Sequence, residues 1–273
     1  RDRTVTEQLE GEAEISASQG RESQYRTRVV ELQAELDRLL LSYTDDYPDV
    51  IRVRHQLEDL QNEIVAETAR RIGVSRQMYL TAMAAARPGK HEYEVVAEIM
   101  RVAKANGCDL SFPIICSVHG ETLHNHNHAN LMKKGDVMVL DSGVETPNKY
   151  ASDITRTIPV GGTFTPQQRQ IYEMVLRAQL ASIKAIKPGV PYKDVHLLAA
   201  RSFATDLKAA GLMKGDIGEA VAAGAHALFF PHGLGHMIGL DVHDLENIGE
   251  QYVGYEPGVE RSQQFGLGYL RLA

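Results

Sequence analysis

The chain has 273 residues, 43% of them hydrophobic and 24% charged, with a formal net charge of −7 and a pI near 5.9. This is ordinary globular composition, enough for one large domain or two modest ones, and the acidic balance excludes a general nucleic-acid binder, which carries a basic excess. No apolar run approaches the roughly 18 residues needed to cross a bilayer; the most hydrophobic stretch, 220–230, is short and contains His226.

Residues 1–67 are rich in Glu, Gln, Arg and Leu. Leu32, Leu36 and Leu39, and then Val53, Leu57, Leu60 and Ile64, recur at spacings of three and four, the seam of an amphipathic helix that packs as a coiled coil. Pro48 lacks an amide donor and restricts Tyr47, which predicts a break between two helices. They either fold back as an antiparallel hairpin or continue in a bent line. The chain opens Arg-Asp-Arg with no hydrophobic signal core, and the start reads as cut.

From Thr68 onward Gly and Pro punctuate the sequence regularly. A helix is expected over 67–87, stopped by Pro88-Gly89, and another over 91–105, stopped by Asn106-Gly107. Short β-rich runs follow at 114–118, 137–140 and 154–160. Thr165-Pro166 is an N-cap followed by a proline at the first helical position. Further helices are expected over 192–210 and from Asp216 to about Gly224. Helix pairs followed by strand pairs predict an α+β domain over 68–273, with helices on one face of a largely antiparallel sheet. Cys108 and Cys116 lie in or beside apolar runs and form no CxxC pair, and so read as reduced, buried thiols.

The densest chemical signal is His232-Gly-Leu-Gly-His236-Met-Ile-Gly-Leu-Asp-Val-His243-Asp244, with three histidines and two acids in thirteen residues. No regular helix face holds that pattern. The glycines permit close backbone approach, and imidazoles are neutral nitrogen ligands near neutral pH. Asp141 and Asp153 flank apolar strand-like runs; singly each reads as a turn aspartate, but on neighbouring strands two carboxylates can bridge paired divalent ions. His124, His126 and His128 alternate, which on an extended segment would put them on one face. On spacing alone a functional and a merely polar loop are evenly balanced.

The segments LHNHNH, LDSG, SDITRTIPV and HGLGHMIGLDVHD resemble the catalytic domain of Xaa-Pro aminopeptidases and prolidases, proline-specific metallopeptidases of the pita-bread (creatinase/aminopeptidase-like) fold. The resemblance spans about Ala84 to Ala273. Methionine aminopeptidases share that fold with a different histidine motif, and creatinase shares it without the metal-binding residues. Position by position, the resemblance implies that Asp141, Asp153 and His236 are metal ligands, with Asp153 bridging. It implies catalytic roles for His124 and His243 in substrate binding and proton handling, and for His232 in lining the same pocket. It also implies two divalent ions, manganese first with cobalt or zinc as substitutes, and attack by activated water on the carbonyl before a prolyl nitrogen.

The family pattern also needs two glutamates after the histidine motif. Glu256, in Glu256-Pro257-Gly258, lacks the apolar strand that should precede it. The pita-bread domain is therefore expected to be incomplete, ending before both glutamates, and the chain as given to be inactive. The stretch ESQYRTRVVELQAELDRLLLSYTDDYPDVIRVRHQLEDLQNEI resembles the periplasmic coiled coil of bacterial polysaccharide chain-length determinants. The chain thus reads as two unrelated units, 1–67 and 68–273.

The primary expectation is an Xaa-Pro aminopeptidase acting on peptides with proline in second position, with prolidase as the nearest alternative. A structural coiled-coil fragment carrying a non-catalytic passenger and a peptide-binding cleft without hydrolysis are the rivals from other classes. The peptidase part implies a cytoplasmic protein, whereas the N-terminal part alone would imply a periplasmic segment of a membrane protein. No nucleic acid and no membrane span in this chain are expected, and homo-oligomerisation stays open.

Overall fold

The computed structural model describes residues 28–239 and 241–243. Helix α1 is described over 28–40 and is followed by α2 (Pro48–Ala85) and α3 (Glu92–Ala105). Then come β1 (Asp109–Leu110), β2 (Ile115–Ser117), β3 (Val137–Ser142), β4 (Val144–Glu145) and β5 (Ile154–Pro159). Helices α4 (Pro166–Ala185), α5 (Tyr192–Ala209) and α6 (Ile217–Ala222) and a 3-10 turn (Ala225–Leu228) complete the order.

The seam residues of the first segment bury one another. Leu32 and Leu36 of α1 pack with Val50, Val53 and Leu57 of α2, and Arg52 of α2 meets Glu35 of α1 at 3.5 Å. Of the two arrangements open to the sequence, the structure adopts the folded-back hairpin. Pro48 does more than break a helix: it starts α2 at N1, with Tyr47 as N-cap, where a missing N–H costs nothing.

One expectation is corrected here. The helix expected to begin at Glu67 begins at Pro48 and runs 38 residues without interruption to Ala85. Between Asp49 and Arg71 there is neither Gly nor Pro, and the run is dominated by good helix formers, so nothing local stops the helix at the change in composition. The two ends of α2 serve different cores. Val50, Val53 and Leu57 face α1, while Val74, Met78 and Ala82 join Ile99 and Val102 of α3 and Met138 and Leu140 of β3 in the largest apolar cluster.

Strands β2, β3 and β5 form an antiparallel sheet in that order, close to the expected runs. The short pair β1–β4 had no counterpart in the sequence reading. In β3 the pleat buries Met138, Leu140 and Ser142 and leaves Val137, Val139 and Asp141 half-buried, as strand periodicity requires. Asp141 therefore points to the face of the sheet away from α2 and α3. From the helical side, the Tyr79 hydroxyl reaches the carbonyls of Leu140, Ser142 and Ile154 and pins β3 to β5 at the level of the aspartates.

Helix α4 starts as expected. The Thr165 hydroxyl accepts from the Gln168 amide at 3.2 Å, and the Gln168 side chain accepts from the Thr165 amide at 2.9 Å, a complete capping box. Helices α4 and α5 pack as a hairpin around Met174, Phe203 and Leu207. Phe230 leans on this cluster and leads the chain into the glycine-rich histidine segment. Cys108 and Cys116 are free and buried, and burial, with Glu92 nearby, pushes the Cys116 thiol up to about 12.

Candidate metal centre

Asp141 and Asp153 come together because β3 and β5 pair. The register sets Asp141 opposite Thr155 and Ser142 opposite Ile154, so Asp153, one residue before β5, lies beside the end of β3. Gly143 permits the approach. A Cβ at this position would lie 1.6 Å from the Ser152 carbonyl oxygen and 2.3 Å from the Ser111 hydroxyl. Gly143→Ala must therefore force β3 away from the 151–153 segment. We expect a loss of about 3 kcal/mol or more, measured by urea unfolding; a loss below about 1 kcal/mol would show that the turn has room to spare.

The two carboxylates are electrostatically unequal. Burial, then the like charge of Asp153, pushes Asp141 up to about 6, against an opposing 2.8 Å hydrogen bond donated by the Thr155 hydroxyl. Burial also acts upward on Asp153, but its hydrogen bonds to His236 and Asp141 outweigh it and hold this carboxyl below the usual carboxylate range. Two half-buried acids pushed apart in this way favour a neighbouring cation, which would relieve both the burial and the like charge.

His236 arrives from the glycine-rich segment. A hydrogen bond from the Ala151 amide to the Gly239 carbonyl, 2.8 Å long, ties that segment to the approach of Asp153. His236 Nδ1 lies 2.8 Å from the Met237 carbonyl, and Nε2 lies 3.0 Å from Asp153 Oδ2. A carbonyl can only accept, so Nδ1 carries the hydrogen. In a neutral ring Nε2 then presents a lone pair to a carboxylate oxygen, an arrangement that needs a second proton or a cation between them. A histidine that donates one nitrogen to a backbone carbonyl and turns the other toward a carboxylate has the geometry of an oriented metal ligand. His243 stacks on His236 with ring centroids 4.0 Å apart. Asp153, His236 and His243 offer ligand atoms that all lie within 4.8 Å of one another. The donor set of imidazole nitrogen and carboxylate oxygen suits a divalent transition-metal ion.

His124 and His232 meet edge to face at 5.3 Å, and burial, with His124 nearby, pushes His232 below its ordinary value. The other two histidines of the alternating set do not share their face. His126 Nδ1 and His128 Nε2 both turn to the Ile114 carbonyl, at 3.4 and 3.0 Å, because the segment is an irregular loop and His124 takes a left-handed conformation with φ 53°. The expected single face is corrected on this account. Asp244 and Glu256 lie outside the described residues.

Three buried polar residues escaped the sequence reading. Glu92, at the first turn of α3, is fully buried among backbone and side-chain N–H groups. His196 and His226 are each 1% exposed. Both nitrogens of His196 and Nδ1 of His226 have no hydrogen-bond partner. The available signal was His196 occupying an apolar position beside Val195, Ala199, Ala200 and Phe203 on α5.

Such a sheet, with paired aspartates on one face and histidines brought over it by a glycine-rich segment, defines a metallopeptidase-type α+β domain. The profile of metallopeptidase family M24 matches residues 68–263, and the chain belongs to this family. It is 39% identical over 172 residues to Xaa-Pro aminopeptidase 2 of Streptomyces coelicolor, covering 61% of this chain and 37% of that protein. To human Xaa-Pro dipeptidase it is 34% identical over 235 residues, covering 83% of this chain and 45% of that protein. Among solved structures it resembles proline aminopeptidase P II from Yersinia pestis, with a TM-score of 0.62 and 36% identity over 65% of this chain and 41% of that one. It resembles zinc-substituted Escherichia coli aminopeptidase P in complex with product, with a TM-score of 0.62 and 32% identity over 73% of this chain and 49% of that one. The fold is accordingly pita-bread. The chain spans less than half the length of these curated relatives.

Proposed function

We propose that this domain is the metal-dependent catalytic part of an Xaa-Pro aminopeptidase, which removes the residue preceding a proline in second position. One observation supports the reading most directly: His236 Nε2 lies 3.0 Å from Asp153 Oδ2, and these two residues and His243 offer ligand atoms within 4.8 Å of one another. Asp141, Asp153 and His236 would hold a pair of divalent ions, manganese in our reading, with cobalt or zinc as substitutes. When bound, these ions supply Lewis acidity and activate water at neutral pH. The chain's own residues do the rest. Asp153 and the Met237 carbonyl fix the ring of His236. His243 stacks on that ring, and in our reading it and the His124–His232 pair bind the substrate carbonyl and carry a proton to the departing prolyl nitrogen.

Two features support treating 1–67 as a helical coiled-coil segment distinct from the peptidase domain at 68–273: the separate apolar clusters and the hairpin at Pro48. No helix among the described residues is long and apolar enough to cross a membrane.

The test is release of the N-terminal amino acid from an Ala-Pro-Xaa tripeptide and from an Ala-Pro dipeptide, by the protein at its full natural length, with manganese and with a chelator. Chelator-sensitive release from the tripeptide is the expected result. Cleavage of the dipeptide alone would make the protein a dipeptidase, and cleavage indifferent to proline would overturn the reading.

A further inference from the structure

We propose that Glu92 is the positioning residue for His124: a buried carboxylate that clamps both ends of the loop carrying this histidine. Glu92 is fully buried at the first position of α3. Its Oε1 accepts from the Val118 amide at 2.7 Å. The Asn130 side-chain amide donates to both carboxylate oxygens, at 3.2 and 3.1 Å, and the Asn130 backbone amide approaches Oε2 at 3.4 Å. The backbone repeats the clamp, since the Glu92 amide donates to the Asn130 carbonyl at 3.1 Å and the Tyr93 amide to the His128 carbonyl at 3.0 Å. Val118 follows β2 directly, so one side chain closes the whole loop from 118 to 130.

The choice of a carboxylate is informative. Burying a charge among N–H groups is costly unless every lone pair is engaged. In return, a carboxylate accepts from several converging donors and fixes direction as well as distance. Within the closed loop His126 and His128 are engaged by the Ile114 carbonyl. His124 sits at the tip with φ 53° and its ring against His232. A left-handed non-glycine residue persists where its surroundings over-determine it, and the Glu92 clamp is what over-determines it here.

This inference rests on the reading that His124 touches the substrate. The test is the pair Glu92→Gln and Asn130→Ala. Glutamine keeps the shape but turns an NH2 toward N–H donors, whereas the alanine variant removes one donor and leaves the Val118 contact. We expect kcat/KM for an Ala-Pro tripeptide to fall at least about tenfold in Glu92→Gln, and by a smaller factor in Asn130→Ala, because catalysis is sensitive to misplacement of about 1 Å. Metal content should not change in either. The ring resonances of His124, followed by nitrogen-15 NMR, should shift in both. Activity within twofold of wild type and an unmoved His124 signal, with only a lower melting temperature, would overturn the proposal. If Glu92→Gln does not fold, Asn130→Ala decides alone. If the wild-type protein cleaves no Xaa-Pro peptide, the functional reading fails, and the NMR shift still decides the clamp.

Discussion

Replacing Asp153 by Ala is expected to abolish proline-specific cleavage and to strip divalent metal from the domain. Asp153 stands between the other proposed ligands, with its Oδ2 3.0 Å from His236 Nε2 and its charge acting on Asp141. Its removal takes a donor away, frees the His236 ring on its Nε2 side and relieves the like-charge pressure that prepares Asp141 for a cation. Because these effects act on one unit, the loss is not a sum of contacts. Metal affinity should fall by about two orders of magnitude or more, and turnover by roughly three or more, read by isothermal titration with manganese and by the tripeptide assay. Retention of tight binding would place the metal elsewhere. His243→Ala is the contrast. It should lower turnover while leaving metal content nearly unchanged, even though His243 lies within ligand reach of Asp153 and His236. Loss of metal from that variant would transfer His243 to the ligand set. A pH titration adds a further check. With Asp141 raised to about 6, a proton competes with the cation below that pH, so affinity should weaken on acidification and plateau above it.

Acidification should also unfold the domain through a second, unrelated pair. His196 and His226 are buried with ring centroids 6.1 Å apart, beside Phe230. Burial, then the neighbouring His226, pushes His196 down to about 4, and burial lowers His226 as well. The sign follows from linkage. The native state keeps these rings neutral, whereas the unfolded chain takes up protons below about 6.5, so stability falls as pH drops from about 6.5 toward 4 and is level above that window. His196 alone is worth about 2–3 kcal/mol across the window, and His226 adds in the same direction. Asp141 acts oppositely in the metal-free chain, since a raised carboxyl favours the native state as pH falls. Comparing wild type with a His196→Phe/His226→Leu variant at each pH cancels that contribution. Urea unfolding at pH 7.5 and pH 4.5 should show wild type losing about 2–3 kcal/mol more than the variant. Equal losses would mean that the rings are hydrated or protonated in the native state. The effect bears on the metal centre because Phe230, which stacks on His196, leads directly to His232 and His236.

Much of this was legible in the chain. Short β-rich runs at 137–140 and 154–160 marked the two strands, and Thr165-Pro166 marked the start of α4, because composition and capping are local properties that a sequence displays openly. The density of His and Gly in 232–243 and the two aspartates beside apolar runs marked the candidate ligands by type and by family resemblance. Distance was not legible. That Asp141 and Asp153 perturb each other depends on the β3–β5 register and on a backbone approach that Gly143 permits. That His124 separates from His126 and His128 depends on a left-handed residue and on the Ile114 carbonyl. The uninterrupted α2 hid a change of packing partner inside a run of uniform helix formers. Glu92, His196 and His226 drew no functional reading until packing showed them buried. Local chemistry is written residue by residue, whereas burial and register are properties of contacts between segments far apart in the chain, and these decided which groups are perturbed and which can meet.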